Sequence, residues 1–193
     1  MTYRTRLTLM QRLKNSGDDK SWEEFNEIYR PFIYSIVRSM YVEAHLIDDL
    51  LQDVLVSVWK ALPGFEYDPE KGRFSSWLAT ITINRVKSTQ LKRSRQGARD
   101  HKAFEREDEL DEGDLEKIVD REWASFLTKT AWENISEDLS PAMKSCFEGV
   151  IAGKKVREIG KDLDIPENTV SIYKKRVSVI MRREIHRLEE ELN

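Results

Sequence analysis

Between Leu50 and Leu62 the apolar residues Leu50, Leu51, Val54, Leu55, Val58 and Leu62 recur at steps of three and four. A strand, with its period of two, cannot gather that set on one side, so the spacing predicts an amphipathic helix. Asp49, Gln52 and Asp53 recur at the same helical spacing and share the opposite, outward surface. Pro63-Gly64 ends the helix, and Asp68-Pro69 with Gly72 builds a turn. A second helix opens near Phe74, with Phe74, Trp77, Leu78 and Ile81 as its expected buried stripe. From Arg73 to Arg99 the basic residues are Arg73, Arg85, Lys87, Lys92, Arg93, Arg95 and Arg99, with no acid among them. An acid-amide patch thus stands close to a basic helix with aromatics. The first fits a basic protein partner, and the second fits a phosphate backbone with exposed bases.

Upstream, Thr5 to Lys14 reads as a short helix with Leu9 and Leu13 inward. A longer helix starts near Ser21, which stands as its cap with Glu24 at the capping-box position. Its stripe is Trp22, Phe25, Ile28, Tyr29, Phe32, Ile33, Ile36, Val37 and Met40, and Pro31 inside it predicts a kink or a split. The turn Phe65-Glu66-Tyr67-Asp68-Pro69 has two readings, a closed hydrophobic corner or a receptor for an unstacked base.

After Arg99 the charge inverts. Between Asp100 and Glu122 eleven acids face four bases, and apolar residues are sparse as far as Leu115. That stretch buries too little to fold alone and reads as an acidic linker, 96–117. Helix returns near Ile118, with Trp123, Phe126, Leu127, Thr130, Ala131 and Ile135 on one side. Ser140-Pro141 starts another helix, whose core face is Met143, Phe147, Val150 and Ile151.

Val156 to Arg183 has the layout of a helix-turn-helix. A short helix ends at Leu163, Asp164-Ile165-Pro166 is the turn, and a second helix opens at Glu167. Gly160 is small where two helices cross, and Asp164 tolerates positive φ. On the second helix Val170, Tyr173, Val177 and Ile180 point inward. Asn168, Ser171, Ile172 and Lys175 then point out, with Thr169, Lys174 and Arg176 at the flanks, as in a helix that reads a major groove.

The run Asp48-Asp49-Leu50-Leu51-Gln52-Asp53-Val54-Leu55, followed by Phe74, Trp77, Leu78, Ile81 and Asn84, resembles region two of bacterial sigma factors. The segment from Ser140 to Arg183 resembles their region four, and the short length resembles the extracytoplasmic-function group. Ser88 and Ile172-Tyr173 stand where the family often has Asp and Ser-Arg. The resemblance implies an all-α chain of two small helical domains: 1–95 as region two, the acidic linker 96–117, and 118–193 as region four. It implies that Asp49, Gln52 and Asp53 dock on core RNA polymerase, at the beta-prime clamp helices, with the beta subunit also a partner. It assigns Phe65, Arg73, Trp77, Asn84, Arg85 and Lys87 to the promoter −10 element. It assigns Asn168, Thr169, Ser171, Ile172, Lys174, Lys175 and Arg176 to the −35 element. The linker of the family runs near the RNA exit path of the polymerase. An anti-sigma partner stays open.

Nothing local supports catalysis. His45, His101 and His186 are scattered, none at metal-ligand spacing with the single Cys146, and no Gly-rich phosphate loop is present. No cofactor or metal is expected. One cysteine excludes an internal disulfide and fits a reducing cytoplasm, and no apolar run predicts a signal peptide or a membrane span. The net charge of −3 is unusual for a DNA binder, but it hides segregated surfaces. Two alternatives remain: a helix-turn-helix regulator that does not join polymerase, and a helical adaptor that binds only protein.

Overall fold

The structure is a computed structural model that describes residues 6–14, 19–65, 72–97 and 112–192. Among these residues there are α-helices and short 3-10 turns and no strand, which is the all-α class expected. Arg99, the turn residues from Glu66 to Asp68-Pro69, and most of the acidic linker fall outside the described residues. The chain divides into two compact units, Met1–Phe126 with Glu191–Asn193, and Leu127–Glu190.

The first unit contains α1 (Arg6–Lys14), α2 (Asp19–Ser39), α3 (Ile47–Ala61), α4 (Phe74–Gly97) and the first half of α5 (Glu112–Ser136). In α1, Leu9 and Met10 are buried and Leu13 is half-buried. Ser21 does not cap α2. The helix already runs from Asp19, and Ser21 is buried inside its first turn. Nor does Pro31 split it, because α2 continues through Pro31 to Ser39. Pro31 lies on the exposed side, and the one carbonyl that loses its partner belongs to the exposed Glu27, where water can serve it.

The buried stripe of α2 faces α3 and α4. Phe25, Tyr29, Phe32, Ile33, Ile36 and Val37 are buried on it, as are Leu50, Leu51, Val54 and Val58 of α3 and Phe74, Leu78 and Val86 of α4, and Phe74 takes the rings of Phe25 and Tyr29. The expected stripe of α4 is corrected in part: Phe74 and Leu78 are fully buried, but Trp77 and Ile81 are only half-buried. Ala79, Thr82, Ile83 and Val86 complete the buried face, because it centres on the Leu78–Thr82 line rather than on Trp77. Thr82 is tolerated there since its hydroxyl donates to the Leu78 carbonyl at 2.9 Å. The helix α5 begins at Glu112, earlier than Ile118, and buries Val119, Trp123 and Phe126. Trp123 meets Phe32 edge-on, with centroids 4.9 Å apart.

The second unit holds the rest of α5, α6 (Pro141–Ile151), α7 (Val156–Leu163) and most of α8 (Glu167–Leu192). Ser140 caps α6 by accepting the Met143 N–H at 3.4 Å, with Pro141 in the first turn. Its small core is Cys146, Ile159 and Val170, ringed by Val150, Val156, Leu163, Ile165 and Tyr173. Ile151 is not part of it: at the end of α6 it is 64% exposed, and Cys146 takes the central place. On α8, Val170 and Val177 are buried as expected, but Ile180 is exposed and Met181 is buried instead. The inward line of a long helix drifts by a residue over this length, because 3.6 residues per turn do not divide evenly into steps of three and four.

The turn between α7 and α8 depends on two backbone choices. Asp164 adopts φ 52° and ψ 47°, the left-handed conformation that its short polar side chain tolerates. The Ile165 N–H then donates to the Gly160 carbonyl at 2.9 Å. A Cβ on Gly160 would stand 2.9 Å from the Ile165 carbonyl oxygen, so this glycine makes room for the turn and not for a helix crossing. The close crossing is at Gly149, where a Cβ would meet Ile159 Cγ1 at 2.9 Å. Gly160→Ala is therefore expected to destabilise the chain by about 1–3 kcal/mol in a denaturant titration, since backbone cannot give way as a side chain can. A stability equal to wild type would show that the turn is not held as described.

Candidate protein and nucleic-acid interfaces

On α3 the outward side carries Asp49 and Gln52, both exposed, and Asp53, half-buried. The structure keeps the three together, one turn apart, as their spacing implies. It also adds residues that the acid-amide pattern did not reveal. Gln52, Val56 and Trp59 follow at steps of four and three, and Val56 and Trp59 are 48% and 56% exposed. With Trp22, Asn26, Arg30 and Leu55 they line a shallow groove between α2 and α3. The Asn26 Oδ1 is buried there with no hydrogen-bond partner among the described residues. Two apolar residues on the polar side of α3 were the sequence signal for this groove.

On α4 the outward side is basic. Arg73, Trp77, Asn84 and Lys87 lie within about 40° of one line along the helix, opposite the buried stripe. Arg73, Asn84 and Lys87 are exposed. Trp77 is half-covered because Phe65 packs on it, with centroids 4.3 Å apart, and Phe65 also meets Phe74 at 5.6 Å. Arg85 does not share this face. It turns toward α3 and pairs with Asp53, Nη2 to Oδ2, at 2.8 Å. Arg93 pairs with Glu43 at 3.2 Å, and Arg73 pairs with Asp120 of α5 at 2.5 Å. Several of the cations counted in the sequence thus already face a carboxylate.

In the second unit, Asn168, Ser171, Ile172, Lys174, Lys175 and Arg176 are exposed and Thr169 is half-buried. Asn168, Ser171, Ile172 and Lys175 fall on one outward face, and Lys174 and Arg176 lie to its two sides. Ile172, 42% exposed, offers an apolar surface in the middle of that polar face. Arg187, further along α8, is engaged elsewhere. Its Nη2 lies 2.5 Å from Glu184 Oε1 and its Nε donates to Oε2 at 2.9 Å, so the pair is bidentate. Asn134 of α5 donates to the same carboxylate at 2.7 Å. The hydrogen bonds from Arg187, with the one from Asn134, hold the Glu184 carboxyl below its ordinary range against the opposing push of partial burial. Cys146 is buried against the Val170 carbonyl, and burial pushes its thiol up, so it is a core group.

No group of His, Cys, Asp and Glu among the described residues can hold a metal ion. No described helix is long and apolar enough to cross a membrane.

Comparison with known proteins divides the chain as the geometry does. Residues 26–96 match the family described as Sigma-70 region 2. Residues 137–182 match the family described as bacterial regulatory proteins, luxR family. No curated protein matches. A solved structure, described as CnrH in complex with the cytosolic domain of CnrY, aligns at 19% identity over 91% of this chain and 94% of that one, with a TM-score of 0.36. A likeness that slight says nothing of function.

The Glu184 pair gives α8 a pH signature. A carboxyl with a lowered folded-state pKa contributes stability that is present above the unfolded value, about 4.3, and lost as pH falls through the folded value. Glu184→Gln is expected to cost about 1 kcal/mol at neutral pH. The gap to wild type should close as pH drops below the ordinary Glu range. Denaturant titrations of both proteins across that range check this, and a gap independent of pH would contradict the assignment.

Proposed function

We propose that this chain, a sigma factor of the sigma-70 family by its region 2 and the helix-turn-helix that follows, joins core RNA polymerase and directs it to promoters. The order of the two regions is that of the extracytoplasmic-function group. Like its family the chain is not an enzyme; the bond-making chemistry belongs to the polymerase. The domain limits 1–95, 96–117 and 118–193 belong to this reading, as does work in the cytoplasm.

One observation carries the proposal. In the stretch that matches region 2, an exposed acid-amide patch on α3 lies beside a helix whose outer face is basic and aromatic. In this reading Asp49, Gln52 and Asp53 dock on the beta-prime clamp helices, and the groove lined by Val56 and Trp59 extends that surface with apolar contact. Arg73, Trp77, Asn84 and Lys87 track an unpaired −10 strand, with cations on phosphate and rings on bases. Phe65 supports the Trp77 ring, and Arg85 acts from the side after leaving Asp53. Asn168, Thr169, Ser171 and Ile172 meet base edges of the −35 element, where Asn suits adenine and Ile172 suits a thymine methyl. Lys174, Lys175 and Arg176 hold the backbone.

A second reading has its own observation. The match of residues 137–182 to the luxR-family regulators favours a helix-turn-helix regulator that works without joining polymerase. Co-purification with core polymerase separates the two. The full chain is expected to co-purify with core, and Asp49→Lys with Asp53→Lys is expected to abolish this while leaving helical circular dichroism unchanged. Equal recovery of the double variant would contradict the docking surface. Failure of the wild type to bind core, with duplex binding intact, would favour the regulator.

The α8 assignment is tested by salt. On duplexes selected from a random pool, Asn168→Ala or Ile172→Ala should cost about 1–3 kcal/mol on the selected element and less on a scrambled one. Lys175→Ala should weaken both alike and lower the salt slope by about one phosphate contact. Equal losses on both duplexes for Asn168→Ala and Ile172→Ala would remove base reading and leave a nonspecific basic helix.

A further inference from the structure

The outer face of α4 is not open at its start. The Arg73 guanidinium stands 2.5 Å from the Asp120 carboxylate of α5, although the two are 47 residues apart in the chain. The same part of α5 is held down at other points. Val119, Trp123 and Phe126 are buried, and Phe32 receives the rings of Trp123 at 4.9 Å and Phe126 at 6.0 Å. Glu122 accepts from the Ser39 hydroxyl at 2.7 Å and pairs with Arg121 at 3.0 Å. An acidic helix is therefore docked through its apolar side, with a carboxylate on the first cation of the basic face.

We propose that the first half of α5 is an autoinhibitory strap, in which Asp120 occupies Arg73 until the phosphate of a DNA strand takes its place. The proposal rests on the −10 reading of α4 above. A carboxylate and a phosphate offer a guanidinium the same charge-assisted hydrogen bonds, so they compete for one site. The exchange is easy at the ion pair itself, since Arg73 and Asp120 are 47% and 53% exposed. Exposed pairs of this kind are weak, so the competition should change DNA affinity by no more than about fivefold. The aromatic contact with Phe32 is what keeps the carboxylate in place. The acids of the helix also repel an approaching strand, so the strap closes the face by charge as well as by contact.

The test is equilibrium binding of a short fluorescein-labelled single-stranded oligonucleotide of mixed sequence to the full chain at low salt. Asp120→Asn should tighten binding by about two- to fivefold. In the Arg73→Ala background the same substitution should tighten binding by no more than the general loss of one negative charge, the effect that Glu116→Gln measures. Glu116→Gln, an exposed carboxylate one turn earlier on the helix, controls for general loss of negative charge and should have a smaller effect. If Asp120→Asn has no effect, or the same effect with and without Arg73, the strap is overturned while the −10 reading stands on the weakening caused by Arg73→Ala. If Arg73→Ala leaves binding unchanged, the reading of α4 fails and the strap with it. In the wild type, amide exchange over residues 115–126 should quicken when the oligonucleotide is added. Unchanged exchange at saturating oligonucleotide would also overturn the strap.

Discussion

Phe74, at the start of α4, is fully buried against α2, and what the first unit presents to the outside depends on it. Its ring lies 5.2 Å from Tyr29, 6.4 Å from Phe25, 5.6 Å from Phe65 and 5.3 Å from Trp77. Each such pair adds about 0.5–1.5 kcal/mol beyond simple burial, and a Phe-to-Ala cavity in a core costs about 3–5 kcal/mol. The cluster sets how α4 rotates about its own axis. With Phe74 and Leu78 inward, Arg73, Trp77, Asn84 and Lys87 have to face out. The same packing, through Leu50, Leu51, Val54 and Val58, turns Asp49 and Gln52 outward on α3.

Charge then decides how the outward faces behave. Asp53 and Arg85 belong, by their sequence neighbours, to two different surfaces, yet they are paired with each other at 2.8 Å. Arg73 and Asp120 are paired in the same way across a long stretch of chain. Both pairs are partly exposed and therefore weak, so either can be exchanged for a partner that brings several contacts at once. These four side chains are thus paired without being locked. By contrast, Glu184 is only 15% exposed and is engaged by both Arg187 and Asn134, which makes it a structural pair.

Much of this was legible in the sequence, for a physical reason. A helix with a single buried face writes its period directly into the residues, so α2, α3, α6 and the helix-turn-helix could be located, and the outward residues of α3 and α8 named. Positive φ at Asp164 was also readable, because few residues tolerate it. The misses are places where tertiary packing decides. Trp77 and Ile81 look as apolar as Phe74, and only the rotation of α4 shows that they lie at the margin. Ile180 and Met181 are adjacent, and the slow drift of a long helix chooses between them. Val56 and Trp59 break the polar face of α3, but a groove needs the α2 side chains opposite to exist. Ion pairs between distant residues, such as Arg73 with Asp120, leave no local trace at all.

In the proposed role the chain converts core polymerase into a promoter-specific enzyme. The direct measurement is transcription of fragmented genomic DNA by core polymerase with and without the chain, followed by mapping of the RNA 5′ ends. New start sites are expected that appear only with the chain and share two short upstream elements, near −10 and near −35. Start sites no different from those of core polymerase alone would contradict it.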